Sequence, residues 1–356
     1  MEETIRRFGV AALAAGLLAL GVAACGSSSS SSTGSGSSSA ASAASSPTTS
    51  GTQFKVGLVT DIGGLNDHGF NHLAYTGVLL AEKQLGIQGT VLQSASGADY
   101  VPNLTKLAQS GDNLVISVGF LMAAATDQVA KQFPKVHFAI IDNDATTEPG
   151  NPKNIEGLLF REQQAGYLAG YLSGLFAKAH GYKVISSVGG QKIPPVDHYI
   201  AGYQAGAQAA DPGIKTLNGY SQDFVDQSKC KELALNQIQQ GSKVVFQVAG
   251  ACGLGALSAA QGGGVQGIGV DADQAYLGSF ILTSAEKRVD LAAYNAIKAL
   301  KAGQFVPGGN VFNTVTNGGV AYGKIGPAGI KFAPQIAKIF HAIGSGKISN
   351  IPDTVP

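Results

Sequence analysis

From Phe54 onward the chain alternates short, wholly apolar runs with longer amphipathic stretches. Phe54–Thr60 (FKVGLVT) reads as a buried strand, followed by a helix over Phe70–Leu85, a strand at Thr90–Gln93 and a helix over Val101–Gln109. The strand Leu114–Val118, a helix over Ala123–Gln132 and the strand Val136–Ile141 complete a first series. A second begins with a helix over Gln164–Ala179, the strand Lys183–Val188, a helix over Tyr199–Ala209 and a short strand at Lys215–Leu217. It continues with a helix over Gln227–Gln239, the strand Lys243–Val248, a helix from Gly255 and the strand Val265–Val270. Strands that are apolar throughout, with no alternation, need cover on both faces, as in parallel sheets flanked by helices. Two such series predict an α/β fold of two doubly wound parallel-sheet lobes. In open sheets of this kind ligands sit beyond the carboxyl ends of the strands. Polar and glycine residues collect at those ends here: Thr60-Asp61, Gly119-Phe120, Asp142, Gly189-Gly190, Gly250 and Asp271.

The first 52 residues follow another pattern. Arg6 and Arg7 precede an apolar run, Phe8–Ala24, that is shorter than the ~20 residues of a bilayer span and ends in small residues, as a signal peptide does. Its end, Val22-Ala23-Ala24-Cys25, resembles the bacterial lipobox, in which the cysteine is acylated and becomes the new N-terminus; an uncleaved transmembrane anchor is the alternative. Residues 26–50 hold 14 serines and no large apolar side chain, so they cannot bury enough surface to offset the entropy of ordering. The expected organisation is therefore a signal peptide over 1–24, an acylated Cys25 with a Ser-rich tether over 25–52, and a binding domain over 53–356 on the extracytoplasmic face of the cell membrane.

Charge narrows the function. Charged residues are 13% of the chain against a usual ~25%, and the net charge is +1 with no cluster of Lys or Arg. A nucleic-acid groove or a polybasic membrane patch is excluded on that ground. In the folded region only Cys230 and Cys252 remain, and an even pair in an exported chain is a candidate disulfide, two buried free thiols being the alternative. The six histidines are scattered and no metal-ligand spacing occurs, so neither a metal nor a cofactor is expected.

The strand ends supply the candidate chemistry. Asp61 lies in VTDIGGLNDHGFN, where Gly63 and Gly64 permit a tight turn and close backbone approach. Phe70 and Asn71 open the next helix, where an aromatic face and an amide can meet a planar solute; a cap and a core ring are the plainer reading. Asp142 ends FAII as a loop cap or a ligand acceptor. Tyr199 and Tyr203 lie four apart on one helix face, one as a platform or both as packing. VAGACGLGA offers backbone N–H groups at Gly250, without the spacing of a dinucleotide fingerprint. Asp271 and Lys287, taken singly, read as surface charges. No catalytic triad, P-loop or carboxylate pair can be argued from spacing.

Together, VTDIGG, NDHGFN, SVGF, FAIID, FREQQAGYLAGYLSGL, VGGQKIPPVDHYIAGYQAG, VVFQVAGACGLGA, IGVDADQ and TSAEKRVD, in this order from Val56 to about Lys301, resemble the basic membrane protein family of substrate-binding lipoproteins, which includes PnrA-type purine nucleoside receptors. The resemblance implies the type I periplasmic-binding-protein fold, with a hinge of three crossovers. Lobe 1 would take residues 53–159 plus 281–304, and lobe 2 residues 160–280 plus 305–356. It further implies a purine sandwiched between Phe70 and Tyr199, with Asp142 at the base edge and Asp61 and Asn71 as polar partners. Gly250, Asp271 and Lys287 would surround the ribose. Two departures are Tyr199, where the family commonly has Phe, and Gly69, where it usually has Ser. The expected function is a lipid-anchored solute receptor, not an enzyme, that closes on a nucleoside and presents it to the permease and ATPase of an ABC importer. A sensor or autoinducer receptor on the same fold is the main alternative, and an exported nucleoside hydrolase a lesser one.

Overall fold

The structure, a computed structural model, describes residues 53–150 and 152–355. The signal peptide, Cys25 and the Ser-rich tether expected from the sequence lie outside the described residues.

The chain begins with β1 (Lys55–Val59), α1 (Phe70–Leu85), β2 (Gln88–Leu92), α2 (Tyr100–Gln109), β3 (Leu114–Ser117), α3 (Ala123–Gln132), β4 (His137–Ile141) and β5 (Ile155–Phe160). It continues with α4 (Glu162–His180), β6 (Val184–Gly189), α5 (Pro194–Ala210), β7 (Lys215–Tyr220) and α6 (Gln227–Gln239). Then come β8 (Val244–Val248), α7 (Gly250–Gly262), β9 (Gln266–Asp271) and β10 (Ile281–Lys287). The last part is α8 (Val289–Lys301), β11 (Asn310–Asn313), β12 (Val320–Tyr322) and α9 (Ala333–Gly344). One six-stranded sheet has the order β11-β5-β4-β3-β1-β2 and the other β12-β10-β9-β8-β6-β7. Every pairing is parallel except β10 with β12. This is the two-lobed α/β fold of type I solute-binding proteins.

The central strands are apolar because both faces are covered: Leu58, Val115, Ile140, Val245 and Ile268 are fully buried. In the second lobe α4 and α5 pack unusually close. A Cβ on Gly166 or Gly170 would run into the carbonyl oxygens of Tyr199 and Tyr203, so only glycine permits the approach that seats α5 under the cleft. Pro194 and Pro195 open α5, where their missing N–H groups cost nothing.

The chain passes between lobes at Arg161, at Arg288 and over 314–319, which gives the three crossovers expected of the hinge. The lobe boundaries expected from the sequence need correction. Residues 281–287 form β10, which pairs with β9 inside the second sheet, and only α8 returns to pack on α1 of the first lobe. Residues 310–313, expected in lobe 2, form β11 and extend the first sheet beside β5. Cys230 and Cys252 are joined as a disulfide between α6 and α7, with Cα atoms 5.6 Å apart.

Candidate functional site

The carboxyl ends of both sheets open onto one cavity, with about 630 Å³ of empty space including the part open to solvent. All eight residues singled out as ligand-binding candidates (Asp61, Phe70, Asn71, Asp142, Tyr199, Gly250, Asp271 and Lys287) line it.

On the first lobe the polar groups brace one another. Asn71 Nδ2 donates to Asp61 Oδ1 at 2.7 Å and to Asp67 Oδ2 at 3.1 Å, while the Gly63 N–H donates to the same Asp61 oxygen at 2.9 Å. Asp67 accepts the N–H groups of Gly69, Asn71 and His72 and so caps α1 from two residues outside it. Asp61 keeps Oδ2 free of hydrogen bonds from the described residues, close to Gly119, whose φ of 113° and missing Cβ leave room for that oxygen and for the Phe70 ring. Burial pushes the Asp61 carboxyl up to about 6, against the pull of the Gly63 N–H and the Asn71 amide.

At the hinge side a buried ammonium holds two carboxylates. Lys287 Nζ donates to Asp142 Oδ2 at 2.6 Å and lies equally near Oδ1, which has no hydrogen-bond partner; it also donates to Glu162 Oε1 at 3.0 Å. Glu162 Oε2 in turn meets His198 Nδ1 at 3.0 Å. Rings of Phe160, Phe70 and Tyr199 surround Nζ with centroids 4.8, 5.1 and 5.9 Å away. Burial pushes Asp142 up to about 7; Lys287 opposes this and Glu162 reinforces it, since two carboxylates share one ammonium. Burial would also raise Glu162, but Lys287 and His198 override it and hold it below its ordinary value. For Lys287 burial works downward, yet Asp142 and Glu162 lift it above its ordinary value. The direct partners of Lys287 are Asp142 and Glu162.

Tyr199 departs further from expectation. The side chain is 2% exposed, its hydroxyl donates to Asp271 Oδ1 at 3.1 Å, and its ring meets Phe246 edge-on at 6.1 Å. Its ring lies deep at the floor of the cavity, and its hydroxyl anchors Asp271. Tyr203 is fully buried against Phe246 at 5.0 Å. The half-buried ring on the second lobe is Phe224, which sequence reasoning missed because it sits in a loop past the short edge strand β7. Its ring lies so near Gly190 that a Cβ there would overlap it. Ile193, Pro195, Val196, Val248 and Val270 complete an apolar wall around it. Burial raises Asp271 to about 6, opposed by Lys287 and the Tyr199 hydroxyl. Among the described residues no group of three or more His, Cys, Asp or Glu side chains is placed to hold a metal ion.

The two-lobed fold recurs in known proteins. A solute-binding protein of an ABC transporter system from Aeropyrum pernix superposes with a TM-score of 0.75 at 25% identity, covering 84% of this chain and 94% of its own. An uncharacterized lipoprotein of Pyrococcus furiosus is 35% identical over 77% of this chain and 71% of its own length. A Lactococcus lactis protein named as the ABC transporter nucleoside-binding protein BmpA is 32% identical over 84% of this chain and 89% of its own. Residues 54–326 match the family described as ABC transporter substrate-binding protein, PnrA-like. Family and fold are those of substrate-binding proteins and not of enzymes, and with most of the folded region inside the match, the chain belongs to the PnrA-like family of ABC transporter substrate-binding proteins.

Proposed function

We propose that this chain is a lipid-anchored extracytoplasmic receptor that binds a nucleoside, a purine nucleoside by preference, in the interlobe cavity and delivers it to an ABC permease. The carrying observation is the pairing within one cavity of two half-buried rings from opposite lobes, Phe70 and Phe224, with three strand-end carboxylates, Asp61, Asp142 and Asp271. A purine is flat and apolar on its faces, which suits aromatic rings, while its edge and ribose carry donors that need carboxylate acceptors. The name of the Lactococcus relative as a nucleoside-binding protein supports the same ligand class. Calorimetric titration of the purified domain with guanosine, inosine, adenosine, cytidine and free ribose tests it, together with mass spectrometry of whatever copurifies. Tight binding of purine nucleosides is expected; heat only with free sugars would overturn the reading.

The anchor is a separate part of the proposal. Cys25 follows Val22-Ala23-Ala24 at the end of the apolar run. Cys25→Ser should release the protein into the medium with the binding domain intact. Retention of that variant in the membrane would place the anchor elsewhere.

A further inference from the structure

The Cys230–Cys252 bridge lies directly behind the Phe224 wall of the cavity. Cys252 is in the first turn of α7, and its backbone N–H donates to the Phe224 carbonyl at 3.0 Å. Gly250, one turn-start earlier and itself lining the cavity at φ 54°, faces the same carbonyl, which a Cβ there would meet at 3.4 Å. Cys230 is in the first turns of α6, the helix into which the Phe224 loop runs. Both sulfurs lie within 3.5 Å of Ser221 Oγ, at the start of that loop. Ser221 in turn donates through Oγ to the Gly189 carbonyl at 3.2 Å. The loop between these anchors includes Gln222 at φ 56° and carries Phe224 and the exposed Val225. Both cysteines are themselves fully buried.

We propose that the disulfide positions Phe224: by tying the N-terminal turns of α6 and α7 together it fixes the carbonyl and Cα of Phe224 against Gly250, so that the ring stands ready before a ligand arrives. This rests on the cavity being the ligand site. The two cysteines touch no cavity space themselves, as neither lines it; they act through the loop. Without the bridge α6 and α7 still pack, but the loop ends are free to shift, and binding has to order the Phe224 side chain at the moment of contact. Pre-organisation of this kind is worth roughly three- to tenfold in affinity for one ordered side chain. The second-lobe wall thereby reaches its full affinity in an oxidising compartment, where disulfides persist.

The test is a four-way cycle: wild type, Cys230→Ala/Cys252→Ala, Phe224→Ala, and the triple variant. Each is titrated with guanosine and adenosine at a temperature well below its own melting midpoint, with circular dichroism confirming the fold. Loss of the bridge should weaken binding by roughly three- to tenfold in the wild-type background. The same loss in the Phe224→Ala background should cost almost nothing, because the ring it supports is gone. Should the cysteine variant fold poorly, wild type titrated with the bridge held open by a reductant, and its thiols left unmodified, gives the same comparison. Undiminished affinity without the bridge, or equal losses in both backgrounds, overturns the inference and leaves the disulfide as a stabilising cross-link. Oxidised wild type that binds neither nucleoside overturns the ligand reading beneath it, and the inference with it.

Discussion

Strand β4 of the first lobe and strand β9 of the second hold the same place in their sheets, third from the β11 and β12 edges. Each is followed or ended by an aspartate in left-handed backbone, Asp142 at φ 68° and Asp271 at φ 61°. Aspartate tolerates that region better than most side chains, and the turn aims both carboxyls from the sheet end into the cleft. Their partners differ. Asp142 faces a buried ammonium, Lys287, shared with Glu162, whereas Asp271 receives a phenol hydroxyl from Tyr199. The surrounding walls differ in the same sense. The first lobe contributes Asp61, Asp67 and Asn71, already locked by mutual hydrogen bonds, and the second contributes Phe224, Ile193, Val196 and Val248. One fold used twice thus gives a braced polar cluster on the first rim and a more apolar wall on the second, with one half-buried ring, Phe70 or Phe224, on each. Because the chain crosses at residue 288, immediately after Lys287, the charge that balances the first-lobe carboxylate is carried by the second lobe's own strand.

That interlobe ion pair is where the comparison breaks most readily. Lys287→Met removes the ammonium and leaves Asp142 and Glu162 buried together, so the domain should lose about 3–5 kcal/mol of stability. Urea denaturation measures it, and adding Asp142→Asn to the same chain should recover part of the loss. A midpoint that does not move would mean that the two carboxyls are neutral in the native state, and that the lysine contributes no net charge pairing.

The division of labour between walls predicts ligand effects of the next size. Phe70→Ala and Phe224→Ala should each weaken purine nucleoside binding by about 1–3 kcal/mol through lost stacking and burial. Asp142→Asn should cost about 1–3 kcal/mol for guanosine and inosine, which carry a proton at N1, and less for adenosine, which does not. Asp271→Asn should instead affect ribonucleosides more than their 2′-deoxy analogues. Calorimetry on the two variants decides it. Equal losses for all ligands at Asp142 would assign that carboxylate to holding Lys287 alone.

Both halves share a pH response. Asp61 and Asp271 sit at about 6 in the folded chain, above their ordinary 3.8. A carboxyl raised on folding contributes stability that is complete below its unfolded pKa and is lost as pH rises through its folded one. Stability should therefore fall as pH rises from about 4 to about 7, by about 2–3 kcal/mol for each of the two. Asp142, pushed up to about 7, acts in the same sense and carries the fall to higher pH, while Glu162, held low, opposes it at the acid end. Urea midpoints across that range check it, and Asp61→Asn should flatten part of the slope.

Much of this site was legible in the sequence because strand-end residues are fixed by topology. Once the apolar runs around Leu58, Ile140 and Ile268 are recognised as parallel strands, Asp61 and Asp142 have to lie on the rim of one sheet and Asp271 on the matching rim of the other. What stayed hidden has physical causes. Strand β10 reads ILTSAEK and buries Ser284 and Lys287, so it lacks the apolar run that announced its neighbours, and the lobe boundary was misplaced with it. Strand β5 carries Glu156, which is buried because the Val306 N–H donates to it from a segment 150 residues away. Strands β11 and β12 are only 4 and 3 residues long, and edge strands that short carry no periodicity. Tyr199 lies deeper than a platform ring would, because helical spacing shows that Tyr199 and Tyr203 share a face but not which side of the helix is covered. The covering comes from Phe246, on a strand more than forty residues on.

Tyr199 then carries the finest test, since a ring beneath the cavity and a ring facing a ligand respond differently to loss of a single oxygen. Tyr199→Phe keeps the ring and its edge-on contact with Phe246 but removes the donor to Asp271 Oδ1. If the hydroxyl only anchors that carboxylate, nucleoside affinity should fall by about 0.5–1.5 kcal/mol, the worth of one hydrogen bond, with the loss concentrated in ligands bearing both ribose hydroxyls. The variant should also shift a titration. The hydroxyl stabilises the ionised form of Asp271, so without it the carboxyl should rise above its present value of about 6. The fall in urea midpoint should then continue to higher pH than in the wild type, its onset being set by the unfolded carboxyl. A ring that instead stacked on the ligand would leave this pH profile unchanged, because the stacking surface of phenylalanine equals that of tyrosine. An unshifted profile with full affinity would therefore return Tyr199 to the ligand face and leave Asp271 without the anchor that distinguishes it from Asp142.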